Sequence, residues 1–407
     1  MKKTDGGVTL PSGFTASAFA AGIKKAGRND MALLYSKTPC HAAGTFTSNL
    51  VKAAPVIWDR DLIQEGNDIN AVVVNSGVAN ACTGQEGFGY CKDTAEAAAG
   101  LLGVSYKNVL VASTGVIGRQ LPMDKITEGV KSLVPLLADG RQAANDAACA
   151  IMTTDTVSKE TAYTFTLDGK ECAIAGMSKG SGMINPKMCT MLAFITTDAA
   201  ISREMLQTAL SEVVEDTFNM ISVDGDTSTN DTCVVLANGL AGNTEITEKN
   251  EDYDTFKEVL FAVSKDLAMM MAADGEGASC LFEVTVKGAE NVKQAKNLAM
   301  SVISSNLTKA AIFGHDANWG RIICAMGYSG EIFDPDKVDL TFISEAGSLQ
   351  ILENGLDTGY SEELATKILS EKKITALIDL KQGGCEATAW GCDLTFKYVS
   401  INADYRS

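Results

Sequence analysis

The chain has 407 residues, 46% of them apolar and 21% charged, which suits two or three globular units with a large core. A formal net charge of −17 with no Lys/Arg-rich run excludes a nucleic-acid binder. No apolar run approaches a membrane span, no signal-like apolar stretch follows "MKKTDGG", and the 11 scattered cysteines form no CxxC pair, so a cytoplasmic protein with reduced thiols is expected.

Mixed α and β elements follow in chain order. "AVVVN" (71–75) and "NVLVAST" (108–114) read as short buried strands, with an alanine-rich helix over 92–103 between them. Helices are expected over 123–137, kinked at Pro135, and over 141–152. "AYTFTLDGKECAIAG" (162–176) has two alternating runs around Asp168-Gly169, a dipeptide that favours a type I′ hairpin turn. Gly176 to Met188 is the most turn-rich break near the middle. It leads into an expected strand, "TMLAFITTD" (190–198).

Residues 202–221 read as an amphipathic helix capped by Ser202. The strand "CVVLAN", a helix over about 253–273, a strand over 280–287 and a helix over 289–306 follow. The remainder reads as β-rich, with strands over 337–343, 374–380 and 394–401.

Several chemistries lack their residues. The only histidines, His41 and His315, stand in small-residue segments read as loops without a GxSxG elbow, and a hydrogen-bonded structural role is expected for His315. There is no zinc-ligand spacing, no GxxxxGK[ST] loop and no dinucleotide-binding GxGxxG. "DGDTSTND" lacks the glycine and glutamate of a calcium loop, so neither a metal nor a tightly bound cofactor is expected. A histidine-poor acyl-transfer enzyme needs another base. One solution is a threonine hydroxyl activated by its own α-amine, whose pKa of about 7.7–8.0 suits neutral pH. That requires a chain end at the threonine.

"KGSGMINPKMCTMLAFITTDAAI" resembles the self-cleavage region of the ornithine acetyltransferases, also called glutamate N-acetyltransferases, of arginine biosynthesis. The resemblance runs through "NSGVANACTG", "STGVIGRQLPMDKI", "IMTTDT", "SVDGDTSTNDT", "DGEGAS", "FGHDANWGRI" and "NADYRS", in family order. It implies an α/β protein, a mixed α+β layered sandwich of DmpA-like fold, processed in the manner of an N-terminal-nucleophile enzyme. It also implies a cut between Cys189 and Thr190, leaving chains 1–189 and 190–407 in an α2β2 heterotetramer. Many members have alanine where this chain has Cys189; cysteine is also small.

The implied reaction moves an acetyl group from N-acetylornithine to glutamate through an acetyl-Thr190 intermediate. No cofactor is needed, although acetyl-CoA can serve as a co-substrate in bifunctional members. Thr114 and Gly115 match the family's oxyanion hole. Lys179 and Glu276 match groups for a carboxylate and the ornithine ammonium. Thr153 or its neighbour Thr154, Asn402 and Ser407 complete the implied substrate contacts. Two readings compete: an aminopeptidase or amidase with the same self-generated nucleophile, and an uncut small-molecule-binding protein.

Overall fold

The computed structural model describes residues 1–24, 27–185 and 191–403. Two compact units form. The first comprises the chain through Gly180, the part after the undescribed segment as far as Phe218, and Thr227–Leu267. The second contains the segment beginning at Ser181, Asn219–Asp226 and the chain from Ala268. The expected cut at 189/190 lies outside the described residues.

The first unit is built on a nine-stranded sheet. Its order is Lys2–Thr4, Lys159–Leu167, Lys170–Lys179, Leu192–Thr197, Thr232–Ala237, Met31–Phe46, Ile69–Val78 and Val109–Val116, with Phe14–Phe19 paired to Met31–Phe46. Most neighbours are antiparallel. Leu192–Thr197 runs parallel to Thr232–Ala237, and Ile69–Val78 parallel to Val109–Val116.

Period-two alternation explains the layers. Ala32, Leu34, Val72, Val74, Leu110 and Ala112 join one core with Ala144, Ala147 and Ala148 of helix Arg141–Ala150. Met31, Leu33, Ala71, Val73, Val109 and Val111 join another, with Ile126, Val130 and Leu133 of helix Met123–Leu133 and Ala95, Ala98 and Ala99 of helix Gly84–Leu102. Both sheet faces are covered, which is why the central strands read as continuous apolar runs.

The second unit holds a seven-stranded sheet in the order Leu356–Asp357, Gly347–Glu353, Asp339–Ser344, Lys373–Asp379, Leu281–Ala289, Cys385–Cys392 and Ile221–Ser222. Phe282, Val284, Val286, Ile374, Ala376 and Ile378 are buried, as are Leu298, Ala299, Val302 and Ile303 of helix Val292–Ser304.

The 162–176 reading holds: strands Lys159–Leu167 and Lys170–Lys179 meet at Asp168 (φ 46°) and Gly169 (φ 72°), the paired positive φ values of a type I′ turn. Ser202 caps its helix by accepting from the Met205 N–H, but the helix ends at Glu215 rather than near 221. Helix Met123–Leu133 gives way to a short 3-10 turn containing Pro135, since proline cannot donate the next helical hydrogen bond.

Three readings are corrected. Gly176 begins no break: through Lys179 it continues a strand paired on both edges. His41 lies in strand Met31–Phe46, not in a loop. Residues 394–401, read as a strand from their alternation, belong mainly to helix Phe396–Ala403, started by the Thr395 hydroxyl accepting from the Lys397 N–H. Phe396 and Val399 are exposed there, so the alternation marked no buried face.

Gly169→Val forces a β-branched residue into the left-handed region and should cost about 1–3 kcal/mol in denaturant unfolding, whereas Asp168→Asn should be nearly neutral.

Candidate active-site geometry

In the first unit, Ile69–Val78 and Val109–Val116 run side by side with Ser76 opposite Thr114 and Gly77 opposite Gly115, and the register shifts just beyond. Gly115 has φ 129°, and a Cβ there would lie 2.3 Å from the Gly77 carbonyl carbon. The obstruction is backbone and cannot swing aside, so only glycine permits this approach. Asparagines hold the surrounding chain. Ser113 Oγ donates to Asn75 Oδ1 at 2.6 Å, and Asn230 Nδ2 donates to the carbonyls of Ala79 (2.6 Å) and Ser113 (2.8 Å).

Lys179, matched in the sequence to a carboxylate-binding group, ends a strand and is buried. Its Nζ donates to Thr114 Oγ1 at 3.3 Å, joining two residues of the sequence-derived site. A third is tied in by Asp155, which sequence reasoning did not single out. One carboxylate oxygen accepts from the Gly180 N–H at 2.7 Å and from Lys159 Nζ at 2.7 Å; the other accepts from the Thr153 N–H at 2.9 Å. Both side chains of the Asp155–Lys159 pair are fully buried. Burial opposes the Asp155 charge, yet Lys179 and Lys159 outweigh it and hold the carboxyl well below its usual range.

Lys24 approaches the same group. Its Nζ donates to the Met152 and Ala150 carbonyls. Burial, aided by Arg28 and Lys179, lowers its pKa to about 8. The first unit therefore gathers Thr114, Thr153 and Lys179 around one buried carboxylate. The signals missed in the sequence were the aspartate of "IMTTDT" and a lysine about 130 residues upstream, Lys24.

Asp231 is a further buried carboxyl of this unit. Burial raises its pKa well above the usual range, against the opposing effects of the Ser228 and Thr47 hydroxyls, the Met191 N–H and the Lys179 charge.

In the second unit, Glu276 is buried and its Oε2 accepts from Asn402 Nδ2 at 2.7 Å, so two more predicted residues meet. The Glu276 N–H donates to the Ser181 carbonyl at 2.8 Å, and the Ser181 hydroxyl donates to the Asp274 carbonyl at 2.6 Å. A Cβ on Gly182 would lie 2.4 Å from the Glu276 carboxyl carbon. Gly277, with φ 73°, leaves room for Lys397 and Tyr398 of the C-terminal helix that carries Asn402.

Cys189, Thr190 and Ser407 lie outside the described residues. His41 Nδ1 lies 2.9 Å from the Ile201 carbonyl oxygen, and His315 Nδ1 lies 3.4 Å from the Ser370 hydroxyl, so both have local structural partners. A cavity of about 640 Å³, bordered by Phe46, Lys52, Arg60, Arg203 and Gln207, includes none of the predicted site residues. The groups that acyl chemistry calls for lie instead in the buried polar network.

A glycine-built turn beside a buried lysine and threonine places these features in the class of α/β proteins suited to acyl transfer, where main-chain donors and fixed cations meet developing negative charge. The ArgJ family model matches residues 15–407, and the chain belongs to the ArgJ family. It is 50% identical over 404 residues to the arginine biosynthesis bifunctional protein ArgJ of Symbiobacterium thermophilum, with 99% of each chain covered. A crystal structure of the Bacillus halodurans arginine biosynthesis bifunctional protein argJ is 46% identical with a TM-score of 0.50. The match covers 52% of this chain and 97% of that one. An ornithine acetyltransferase from Mycobacterium tuberculosis, solved in complex with ornithine, is 42% identical with a TM-score of 0.42, covering 46% of this chain and 97% of that one.

Two outcomes follow. Gly115→Ala should destabilise the first unit by about 1–3 kcal/mol and lower activity even where folded protein is recovered, measured by denaturant unfolding and ornithine release. Asp155→Asn leaves Lys159 buried without its counter-charge and should cost about 3–5 kcal/mol. The Asp155 contribution is complete above about pH 4 and is lost as pH falls through its depressed folded-state pKa. Stability measured against pH should therefore lose part of its acid limb in the variant.

Proposed function

We propose that this protein is an acetyltransferase of arginine biosynthesis that moves the acetyl group of N-acetylornithine to glutamate through Thr190, freed as an N-terminus by self-cleavage after Cys189. Near-50% identity over almost the whole of both chains to a curated ArgJ protein carries the assignment of activity. The clustering of Lys179, Thr114 and Thr153 supports the site assignment. The half-length match to the Bacillus halodurans chain is also what a cut near the middle would leave.

The cleavage begins with Thr190 Oγ attacking the Cys189 carbonyl. An N→O acyl shift gives an ester, and water releases the Cys189 carboxylate and the Thr190 amine. In turnover the amine takes the hydroxyl proton as Oγ attacks the acetyl carbonyl of N-acetylornithine. Main-chain donors at Thr114 and Gly115 meet the oxyanion. Ornithine leaves with a proton, and the glutamate amine then attacks the acetyl-threonine ester. One acetamide replaces another, so the exchange needs no energy-carrying cofactor.

Lys179 neutralises a substrate carboxylate, Thr153 or Thr154 donates to it, and Glu276 pairs with the ornithine side-chain ammonium. Asn402 holds Glu276 in orientation, and Ser407 contributes a further substrate contact. The two cleaved chains remain together as an α2β2 assembly in the cytoplasm. Acetyl-CoA serves as a second donor, which an assay with glutamate and no N-acetylornithine tests directly.

Glutamate-dependent ornithine release separates transfer from hydrolysis: release independent of glutamate would favour the amidase reading. Thr190→Ala should stay a single 407-residue chain on denaturing gels and be inactive, while Thr190→Ser should cut and keep some activity. Full activity in Thr190→Ala would remove Thr190 as the nucleophile. Lys179→Met should raise KM by about 10–100-fold, the loss expected for a hydrogen bond to a charged group.

A further inference from the structure

The strand Met31–Phe46 outruns its neighbours. Its pairing with Phe14–Phe19 ends at Ser36, and its pairing with Ile69–Val78 ends at Cys40 opposite Ile69. Residues 41–46 then pair with Thr232–Ala237 alone among the described strands, which leaves one edge open. The Gln207 side chain covers that edge at Gly44. Its Oε1 accepts from the Gly44 N–H at 3.0 Å, and its Nε2 donates to the Gly44 carbonyl at 3.2 Å. By the period of two, the main-chain groups of Ala42 and Phe46 face the same edge.

This edge is the floor of the cavity of about 640 Å³, walled by helices Ala54–Gln64 and Arg203–Glu215. Part of the lining is apolar: Phe46 and Ile63 close over Gly44, where a Cβ would lie 2.7 Å from the Phe46 ring and 2.9 Å from Ile63 Cδ1. The charged residues at the border are Lys52, Arg60, Arg203 and Glu204. Three cations to one acid reverses the balance of a chain with 34 Lys and Arg against 51 Asp and Glu. Lys52 Nζ donates to the Asn49 carbonyl at 2.7 Å and has no carboxylate partner among the described residues. Arg60 pairs with Asp61 and Arg203 with Asp68, carboxylates about half exposed to solvent. Such pairs are worth at most about 1 kcal/mol and exchange readily for a ligand. Arg203 Nε is buried without a hydrogen-bond partner among the described residues. Two guanidinium forks and a lysine beside an apolar lining suit an anion with an apolar body.

The border of this cavity is also fastened to the segment that holds the glycine turn. Thr47 ends the floor strand; its hydroxyl donates to the Ser228 carbonyl at 2.8 Å and its N–H to the Asp231 carbonyl at 3.0 Å. Asn49 Nδ2 donates to the Thr227 carbonyl at 2.9 Å, and the Ala53 N–H to the Thr229 carbonyl at 2.9 Å. The same segment carries Asn230, whose amide holds the Ala79 and Ser113 carbonyls beside Gly115. Lys52 lies within the fastened stretch, so an anion held by its ammonium also restrains residues 227–231.

We propose that this cavity is an effector site for a small organic anion, a carboxylate or phosphate on an apolar body. Lys52, Arg60 and Arg203 hold the charge, Phe46 and Ile63 take the apolar part, and residues 47–53 pass the restraint through Asn230 to the Gly115 turn. The inference depends neither on Thr190 nor on the identity of the reaction.

The test titrates phthalate and phenyl phosphate into the full chain by calorimetry. At least one should saturate at about millimolar concentration or below, and the tighter of the two tells carboxylate from phosphate. Lys52→Met and Arg60→Met should each weaken binding by about 10–100-fold, the loss expected for a hydrogen bond to a charged group, with thermal unfolding close to wild type. At saturation, hydrogen exchange should slow in peptides covering 113–116 and 227–231. No saturable uptake of either probe overturns the proposal, as does binding that both variants retain. Binding that leaves exchange over 113–116 unchanged overturns the effector role. Should a variant fail to fold, Gln64→Glu, which adds a negative charge to the cavity wall, decides in its place: weaker binding supports the site and unchanged binding overturns it.

Discussion

The buried Asp155 carboxylate organises the first unit's candidate site. It sits where the strand Lys170–Lys179 ends, accepts from the Gly180 and Thr153 N–H groups and pairs with Lys159. An isolated carboxylate could not remain charged there, because the loss of hydration would outweigh any gain. The flanking lysines reverse that balance. The same electrostatic balance places Lys179 beside Thr114 without exposing either to bulk water, where charges are strongly screened.

Backbone closeness is the second constraint. Gly77 and Gly115 meet where the parallel pairing becomes irregular, and no side chain fits between them. The supports around this turn come from distant parts of the sequence: Asn75, Ser113 and Asn230 join three segments through side-chain hydrogen bonds. An oxyanion site needs donors that do not move as charge develops, and such cross-links supply rigidity. The second unit follows the same pattern on a smaller scale, with Gly182 and Gly277 giving Glu276 and the helix of Asn402 room to meet.

Strand and helix types were legible where burial imposed one clear period. Helix Arg141–Ala150, hairpin Lys159–Leu167/Lys170–Lys179 and strand Thr232–Ala237 follow from alanine-rich spacing, an Asp-Gly turn and β-branched runs. The reading failed at Phe396–Ala403, where apolar residues face outward, and at the long strand Met31–Phe46, whose many small residues hid its pattern. Strand order was beyond reach: Thr232–Ala237 joins Met31–Phe46 across almost two hundred residues through hydrogen bonds that any sequence can make.

The sequence by itself determined which chemistry is available. Two histidines, no phosphate loop and a threonine at a polar-to-apolar seam left few ways to carry an acyl group, and the ordered motifs named the family. Only the tertiary structure decided which charges matter. A lysine in "SKGSG" and an aspartate in "TNDT" look like ordinary surface residues until folding removes water from both. Desolvation is a property of the surroundings, set by residues far away in the chain; it leaves Lys179 buried beside Thr114 and pushes the Asp231 pKa up.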